Sequence, residues 1–205
     1  MTTILLTRHG HVDGIKPARF RGRAELPLTD RGLVQADALA KRIARNWKPV
    51  AVYTSPLQRC VVTGGKTAAA CGIKAEARAG LADIDYGKWQ MRTHDEIRAE
   101  TPDALLQWQS APQLTRFPGG ESLEDVLART TDVLREVLQR HANDTVVLVG
   151  HDSVNRVLLM ALLDMPLSAY WRLVQDPCTL NVVEVAGSGA RLVRLVNDTS
   201  HLDPA

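Results

Sequence analysis

The chain has 205 residues, and its 25 lysines and arginines nearly balance 23 aspartates and glutamates, for a formal net charge of +2. This length favours one domain over residues 1–205, and the balance argues against a nucleic-acid partner or a polybasic membrane surface. No apolar run reaches the length of a membrane span, no charged leader precedes the first predicted strand, and three scattered cysteines favour reduced thiols, so a cytoplasmic protein is expected.

The first predicted strand ends in a cation and an imidazole. An apolar run over residues 3–7 predicts a buried strand, and Arg8, His9 and Gly10 follow it directly. In an open α/β sheet that end of a strand is where ligands usually bind. A loop over residues 10–28 comes next, and its basic side chains predict either a solvated loop or a cationic rim over His9. These basic residues are Lys16, Arg19, Arg21 and Arg23.

Helices and strands continue to alternate after this loop. Thr29 is a suitable N-cap, and Ser55-Pro56 predicts an N-cap followed by proline at the first helical position. Arg59 then lies in the first turn of that second helix, where the helix dipole disfavours a cation unless an anion compensates it. The predicted elements are a helix from Thr29 to before Pro49, a strand over 50–54, a helix from Ser55-Pro56 to about Ala70, and a strand over 73–77.

Residues 80–120 are less regular and are predicted to form an insertion over the active site, with a short helix that opens at the capping box of Thr93 and Glu96. Ser122 and Asp125 predict the cap of the longest helix. The remaining predictions are a buried strand over 145–149, a helix over about 153–163, a helix over 166–174, and a hairpin of strands over 180–185 and 191–196.

This order of elements predicts an α/β fold. Strands that alternate with helices favour a three-layer α/β/α sandwich around a mainly parallel mixed sheet of about six strands, and the terminal β-hairpin must add an antiparallel strand. The hairpin leaves a sheet edge, so a homodimer stays an open alternative.

Four residues should meet at one edge of this sheet. His9 follows the first strand, His151 follows the strand over 145–149, and Arg59 opens the helix after the second strand. Together with Arg8, they would surround an anion with two guanidinium groups, two imidazoles and helix N-terminal amides. Guanidinium geometry matches phosphate oxygens, so the pattern predicts a phosphate site.

The same residues carry a resemblance to a known family. The segments at residues 6–10, 55–59 and 150–151 resemble the three signature segments of the histidine phosphatase superfamily, the phosphoglycerate-mutase-like group, and residues 81–89 also match its pattern. This resemblance implies the phosphoglycerate mutase-like fold and a phosphomonoester hydrolase that acts on a small phosphorylated metabolite. It implies a phosphohistidine intermediate and no metal or other cofactor.

The resemblance assigns a role to each core residue. His9 would attack phosphorus with a neutral ring nitrogen, its other nitrogen being held by a carbonyl such as that of Gly10. Arg8 and Arg59 would neutralise the phosphate, disfavour the imidazolium and stabilise the transition state, and His151 would donate a hydrogen bond to it.

A carboxyl group is needed to protonate the leaving oxygen. The family's position for this acid is Asp83, with Asp85 as the fallback. An aspartate is normally ionised at neutral pH, so burial or the charge of the phosphate must keep it protonated.

The chain departs from the family pattern near the substrate. Ile15 stands where many members have asparagine, and Arg21 stands where many have a small polar residue. Arg21 could therefore contact the phosphate in place of that asparagine, or contact a second anionic group such as a carboxylate. Arg21 and Asp152 are the candidate substrate-binding residues.

Three alternatives stay open at this level. A cofactor-dependent phosphoglycerate mutase is the first, although the insertion lacks the paired basic residues of mutases. A metallohydrolase would use His9, His11, His151 and Asp152 as ligands, but the neighbouring arginine disfavours a divalent cation. A non-catalytic phosphate-binding module is the third.

Overall fold

One mixed sheet organises the part of the chain, residues 1–15 and 17–202, that the computed structural model describes. Its strands are β1 (Thr2–Arg8), β2 (Ala51–Thr54), β3 (Ala75–Ala77), β4 (Thr145–Gly150), β5 (Leu180–Val185) and β6 (Arg191–Asp198). They lie in the order β3-β2-β4-β1-β5-β6. The first four are parallel neighbours, whereas β5 is antiparallel to β1 and β6 to β5. The mainly parallel sheet with a terminal hairpin is therefore confirmed.

Helices cover both faces of the sheet. They are α1 (Asp30–Asn46), α2 (Gln58–Ala70), α3 (His94–Glu100), α4 (Pro102–Ser110), α5 (Leu123–Arg140) and α6 (Asp152–Leu162). Successive side chains of a strand point to opposite faces. Accordingly Leu5 belongs to the apolar cluster that contains Leu39 of α1, whereas Ile4 belongs to the cluster that contains Val126 of α5 and Val157 of α6. This arrangement is the predicted three-layer sandwich.

Local capping signals place three helix starts. The Thr29 hydroxyl accepts a hydrogen bond from the Gly32 amide at 3.1 Å, as expected for the N-cap of α1. The predicted capping boxes at the start of α3 and α5 are both present. Each cap satisfies amide groups that the first helical turn leaves unpaired.

Two helix predictions were wrong in their bounds or type. The second helix begins at Gln58 rather than at Ser55-Pro56, because the chain stays extended at Leu57 while the Ser55 hydroxyl lies 2.8 Å from His151. The helix predicted over 166–174 is a 3₁₀ helix, Leu167–Arg172. Helix α4 was not predicted, although proline at its first position was a signal for it.

Residues 80–120 contribute buried side chains to the larger apolar cluster. These side chains, which pack with those of α5 and α6, are Leu81, Ile84, Trp89, Ile97, Leu105, Trp108 and Phe117. The segment also contains 3₁₀ turns at Ala79–Leu81, Gly87–Trp89 and Pro112–Leu114. Among the described residues, no helix is both long and apolar enough to cross a membrane.

Candidate active site

The carboxyl ends of three neighbouring strands bring the predicted core residues together. Strand β4 pairs with both β1 and β2, so His9 after β1, His151 after β4 and Arg59 in the first turn of α2 meet at one edge. The ring centroids of His9 and His151 are 5.2 Å apart. Strand register therefore assembles this cluster from residues that are distant in the sequence, since even Arg59 and His9 are 50 positions apart.

The ring of His9 is held in one tautomer. Its Nδ1 lies 2.7 Å from the Gly10 carbonyl oxygen, which can only accept a hydrogen bond, so Nδ1 carries the proton. Its Nε2 then accepts a hydrogen bond from the Nε of Arg59 at 3.2 Å. Burial, followed by the electrostatic effects of His151, Arg8 and Arg59, holds the pKa of His9 well below its usual value. A neutral ring with a lone pair on Nε2 is the state of a nucleophile.

Arg59 is fully buried and ties several segments to this ring. One terminal nitrogen donates to the Ala24 carbonyl at 2.7 Å, and the other donates to the Gly22 carbonyl at 2.6 Å. The latter nitrogen also lies 3.2 Å from the Oδ2 of Asp83. Asp83 is thus the compensating anion that a cation in the first turn of a helix requires.

Arg8 retains a donor for a ligand. Its Nη1 donates to the carbonyl oxygen of Gln175, but its Nε is buried and has no hydrogen-bond partner among the described residues. An unpaired buried donor is costly unless something accepts its hydrogen. An anion beside His9 would satisfy it.

Asp83 lies against His151 and a serine that sequence reasoning missed. Its Oδ1 accepts hydrogen bonds from the Ser153 hydroxyl at 2.5 Å and from the Ile84 amide at 2.9 Å. Its Oδ2 lies 3.5 Å from the Nδ1 of His151. The carboxyl group is therefore oriented on both oxygens.

His151 has a fixed orientation as well. Its Nε2 lies 2.8 Å from the hydroxyl of Ser55, which leaves Nδ1 on the side of Asp83. Burial, then the charges of Arg59 and Arg8, hold the pKa of His151 well below its usual value. If the Ser55 hydroxyl donates to Nε2, the neutral ring must carry its proton on Nδ1, where it can donate to an anion.

The cleft around His9 has both acidic and basic walls. It is lined by Arg8, His9, Arg19, Arg21, Gly22, Asp83, Tyr86, Asp152 and Ser153. Arg21 donates to the Gly14 carbonyl at 2.8 Å, and its pKa is lowered by burial and by the neighbouring Arg8. Asp152 accepts a hydrogen bond from Arg156 at 2.8 Å. Both candidate substrate-binding residues therefore lie beside the core cluster.

Only part of the predicted basic rim faces this cleft. Arg19 and Arg21 line it, whereas Arg23 turns to Glu121, with a distance of 2.9 Å. Lys16 lies outside the described residues.

Two of the alternatives find no matching geometry. The Asp85 carboxylate accepts a hydrogen bond from the Gly87 amide at 2.8 Å and does not line the cleft, so it is a poor fallback acid.

The four proposed metal ligands do not converge, because His11 is 3.0 Å from the Thr29 hydroxyl and Asp152 pairs with Arg156. Within residues 1–15 and 17–202, no three histidine, cysteine, aspartate or glutamate side chains form a metal-binding group.

Sequence reasoning missed Ser153 and assigned Ser55 only a capping role. Ser153 follows His151 by two residues at the start of α6, so its position beside a predicted strand end was the available signal. Tyr86, which lines the cleft, lies only three residues after Asp83 in a segment that had been singled out. Ser55 and Ser153 contact residues that are 96 and 70 positions away in the sequence, so no local pattern identifies these contacts.

The chain is similar to known phosphatases over nearly its whole length. A family model described as the histidine phosphatase superfamily, branch 1, matches residues 4–198. Phosphoserine phosphatase 1 of Hydrogenobacter thermophilus is 32% identical over 202 residues, which is 98% of this chain and 95% of that protein. The YhfR structure from Bacillus stearothermophilus has a TM-score of 0.92 and 32% identity, with 99% of this chain and 100% of that chain covered.

A mycobacterial glucosyl-3-phosphoglycerate phosphatase has a TM-score of 0.87 and 25% identity, with 95% of this chain and 98% of that chain covered. These similarities agree with the sheet order, with the convergence of His9, Arg8, Arg59 and His151, and with the cleft that Arg8 and His9 line. The chain therefore belongs to the histidine phosphatase superfamily, branch 1, and is a phosphatase.

Proposed function

We propose that His9 is the nucleophile of a two-step phosphatase reaction. Its Nε2 attacks phosphorus, the ester P–O bond breaks, and the phosphoryl group remains on His9 until water removes it as inorganic phosphate. The observation that carries this proposal is the 2.7 Å contact of Nδ1 with the Gly10 carbonyl, because it places the ring proton on Nδ1 and leaves Nε2 unprotonated. The lowered pKa of His9 supports a neutral nucleophile.

Arg8, Arg59 and His151 stabilise the phosphoryl group during transfer. Arg8 lines the cleft with an unpaired Nε, and the guanidinium group of Arg59 donates to Nε2 of His9, so both place positive charge beside the nucleophile, where charge on the equatorial oxygens needs neutralisation. His151 donates from Nδ1 when Ser55 supplies the hydrogen bond to Nε2. These donors are held by the fold before substrate arrives, so little reorganisation is needed.

Asp83 acts as the general acid and then as the general base. Its carboxyl group gives a proton to the leaving alkoxide in the first step and recovers one from the attacking water in the second. Hydrogen bonds from Ser153 and Ile84 to Oδ1 leave Oδ2 on the side of His151 and the phosphate.

The natural substrate carries a carboxylate near its phosphate group. Arg21 lies beside Arg8 in the cleft and is the group that can pair with this second anion. Asp152 supplies a negative charge in the same cleft, which suits an ammonium group. A phosphorylated amino acid has both groups, and phosphoserine, named for the Hydrogenobacter relative, is the first compound to test.

Replacing Arg21 by methionine is expected to raise the KM for phosphoserine by about tenfold, because one charge-assisted contact is lost, and to leave the KM for p-nitrophenyl phosphate within about twofold. Steady-state kinetics with both substrates measure this difference. Arg98→Met is the matched control, since Arg98 is exposed on α3 and, among the residues that the structure describes, pairs with Asp95 alone. An equal rise of KM for both substrates would instead assign Arg21 to the phosphate itself.

A covalent intermediate is expected on His9. Intact-protein mass spectrometry after mixing with p-nitrophenyl phosphate and a rapid alkaline quench should detect one added phosphoryl group, because phosphohistidine survives base better than acid. Fragmentation should place it on His9, and the control His11→Ala should retain it, since His11 contacts Thr29 rather than the cleft. A burst of nitrophenol equal to the enzyme concentration would report the same species.

The outcomes of this experiment separate the alternatives. Phosphate or vanadate binding without adduct or nitrophenol release would favour a non-catalytic binding module. If the phosphoryl group of the adduct is transferred to another position of a phosphoglycerate rather than to water, the protein is a mutase. An adduct on another residue would overturn the assignment to His9.

We propose that residues 1–205 form one domain in which residues 80–120 cover the active site, and that catalysis needs no metal because arginines supply the positive charge. The protein is expected in the cytoplasm, with a small phosphorylated substrate as its partner rather than nucleic acid or membrane. Strand β6 lies at the sheet edge and offers a surface for a homodimer.

A further inference from the structure

Arg129, in the middle of α5, binds the backbone that leads to Asp83. Its Nε and one terminal nitrogen contact the two carboxylate oxygens of Glu121 at 2.9 and 3.0 Å. Its other terminal nitrogen donates to the carbonyl oxygens of Gly80 at 2.8 Å and Ala82 at 2.6 Å. A fifth contact, of 3.2 Å, reaches the carbonyl oxygen of Asp83. A guanidinium group has five N–H donors, so the whole group is used.

Arg23 binds the same backbone from the loop that follows β1. Its Nε donates to the Asp83 carbonyl at 3.3 Å, and its Nη2 contacts the Glu121 carboxylate at 2.9 Å. Arg23 and Arg129 therefore both donate to the carbonyl oxygen of Asp83, and both contact the carboxylate of Glu121. Glu121 also accepts a hydrogen bond from the Asp85 amide at 2.9 Å. We call Arg23, Glu121 and Arg129 the Glu121 clamp.

The Glu121 clamp lies behind the active site. None of its three residues lines the cleft that contains His9, although the clamp holds backbone on both sides of the Asp83 side chain. Helix α5 also approaches this backbone closely, because a Cβ atom on Gly80 would lie 2.8 Å from the carbonyl oxygen of Arg129. The segment that carries Asp83 is thus supported from α5 and from the first loop together.

We propose that the Glu121 clamp is a positioning device for the carboxyl group of Asp83. It fixes the carbonyl oxygens at residues 80, 82 and 83, and this fixes where the Asp83 side chain leaves the backbone, between Arg59, His151 and Ser153. Displacement of a catalytic group by about 1 Å can cost a large part of its effect. This inference rests on the proposed role of Asp83 as the general acid.

The geometry of the clamp requires arginine. A guanidinium group presents a planar fork to both Glu121 oxygens while its remaining hydrogens reach three carbonyl groups. A lysine at position 129 would keep the charge but supply three donors from one atom, so it would hold fewer of these acceptors at once. Arg129→Lys therefore tests positioning without removing the positive charge.

Arg129→Lys is expected to lower kcat for phosphoserine by about tenfold and kcat for p-nitrophenyl phosphate by less than about twofold. A nitrophenolate leaves without a proton, whereas the serine alkoxide needs one. The matched control is Arg135→Lys on the same helix, where the exposed Arg135 pairs with Asp132 and with no other acidic side chain of the described residues. This control should leave kcat unchanged for both substrates.

A double-mutant cycle makes the test specific to Asp83. Once Asp83→Asn has removed the acid, adding Arg129→Lys should cause no further loss on phosphoserine, because the clamp acts only through that carboxyl group. Equal losses on both substrates, or full additivity with Asp83→Asn, would overturn the clamp proposal. If Asp83→Asn itself shows no preference between leaving groups, the proposed acid role fails instead, and the two failures are distinguishable.

A second variant protects the test against misfolding. If Arg129→Lys does not fold, Arg23→Lys removes the fork on the other side of Glu121 and is expected to give the same preference between leaving groups. A folded Arg23→Lys with unaltered kcat for phosphoserine would then contradict the proposal.

Discussion

Replacement of His9 by alanine is expected to lower kcat by at least about 10⁴-fold with both p-nitrophenyl phosphate and phosphoserine. The reason is that the covalent route ends when Nε2 is removed, and a water molecule in the resulting space lacks the orientation that the Gly10 carbonyl imposes on the ring. A loss of this size corresponds to about 5 to 6 kcal/mol of transition-state stabilisation. Steady-state kinetics with highly purified protein measure it.

Binding should survive this substitution. Arg8, Arg59 and His151 remain, so inorganic phosphate or vanadate should bind to His9→Ala with an affinity within about tenfold of the parent. The control is His11→Ala. His11 lies two residues from His9 and contacts Thr29, so the turnover of this variant should stay within about twofold of the parent. Turnover by His9→Ala above about one per cent of the parent would rule out His9 as the required nucleophile.

Asp83→Asn is expected to lower kcat for phosphoserine by about 10² to 10³-fold and kcat for p-nitrophenyl phosphate by less than about tenfold. Asparagine keeps the size of the side chain and an oxygen that can accept from Ser153 and Ile84, but it has no carboxyl proton to give. The serine alkoxide is a poor leaving group without that proton, whereas nitrophenolate is stable. The measurement is kcat for a series of phosphate esters whose leaving groups differ in acidity. The slope of log kcat against the pKa of the leaving group should be steeper for Asp83→Asn than for the parent.

The decisive measurement for Asp83 is the ratio between the loss of kcat on phosphoserine and the loss of kcat on p-nitrophenyl phosphate. The substitution also removes the anion that pairs with buried Arg59, which should lower stability and could lower all activities together. Asp132→Asn is the matched control, because Asp132 is exposed on α5 and pairs with Arg135 at 2.8 Å, outside both the cleft and the Glu121 clamp. Equal loss on every ester in Asp83→Asn, or a preference between leaving groups in Asp132→Asn, would contradict the assignment.

Much of the fold and the core of the site could be predicted from local patterns. Alternating apolar strands and capped helices predict the layers, and side chains such as Thr29, Thr93 and Ser122 set helix starts through bonds to amides three residues away. The convergence of His9 and His151 follows from the rule that strand ends share one edge of a parallel sheet. These predictions succeeded because the interactions behind them are short in sequence or general to the fold class.

Other features depend on contacts between distant parts of the chain. The Ser55 hydroxyl looks like a helix cap in the sequence, yet it contacts His151, 96 residues further on. Asp83 and Asp85 lie two residues apart, and what distinguishes Asp83 is its contact with Ser153, 70 residues further on. No periodicity encodes such pairings.

The sequence by itself therefore determined the layer order, most helix starts and the set Arg8, His9, Arg59 and His151, because burial patterns and capping act over a few residues. Only the tertiary structure decided which carboxylate stands beside His151 and which arginines hold its backbone. Hydrogen-bond partners are chosen by proximity to within a few tenths of an ångström, and that proximity arises only when α5, the first loop and residues 80–85 pack together.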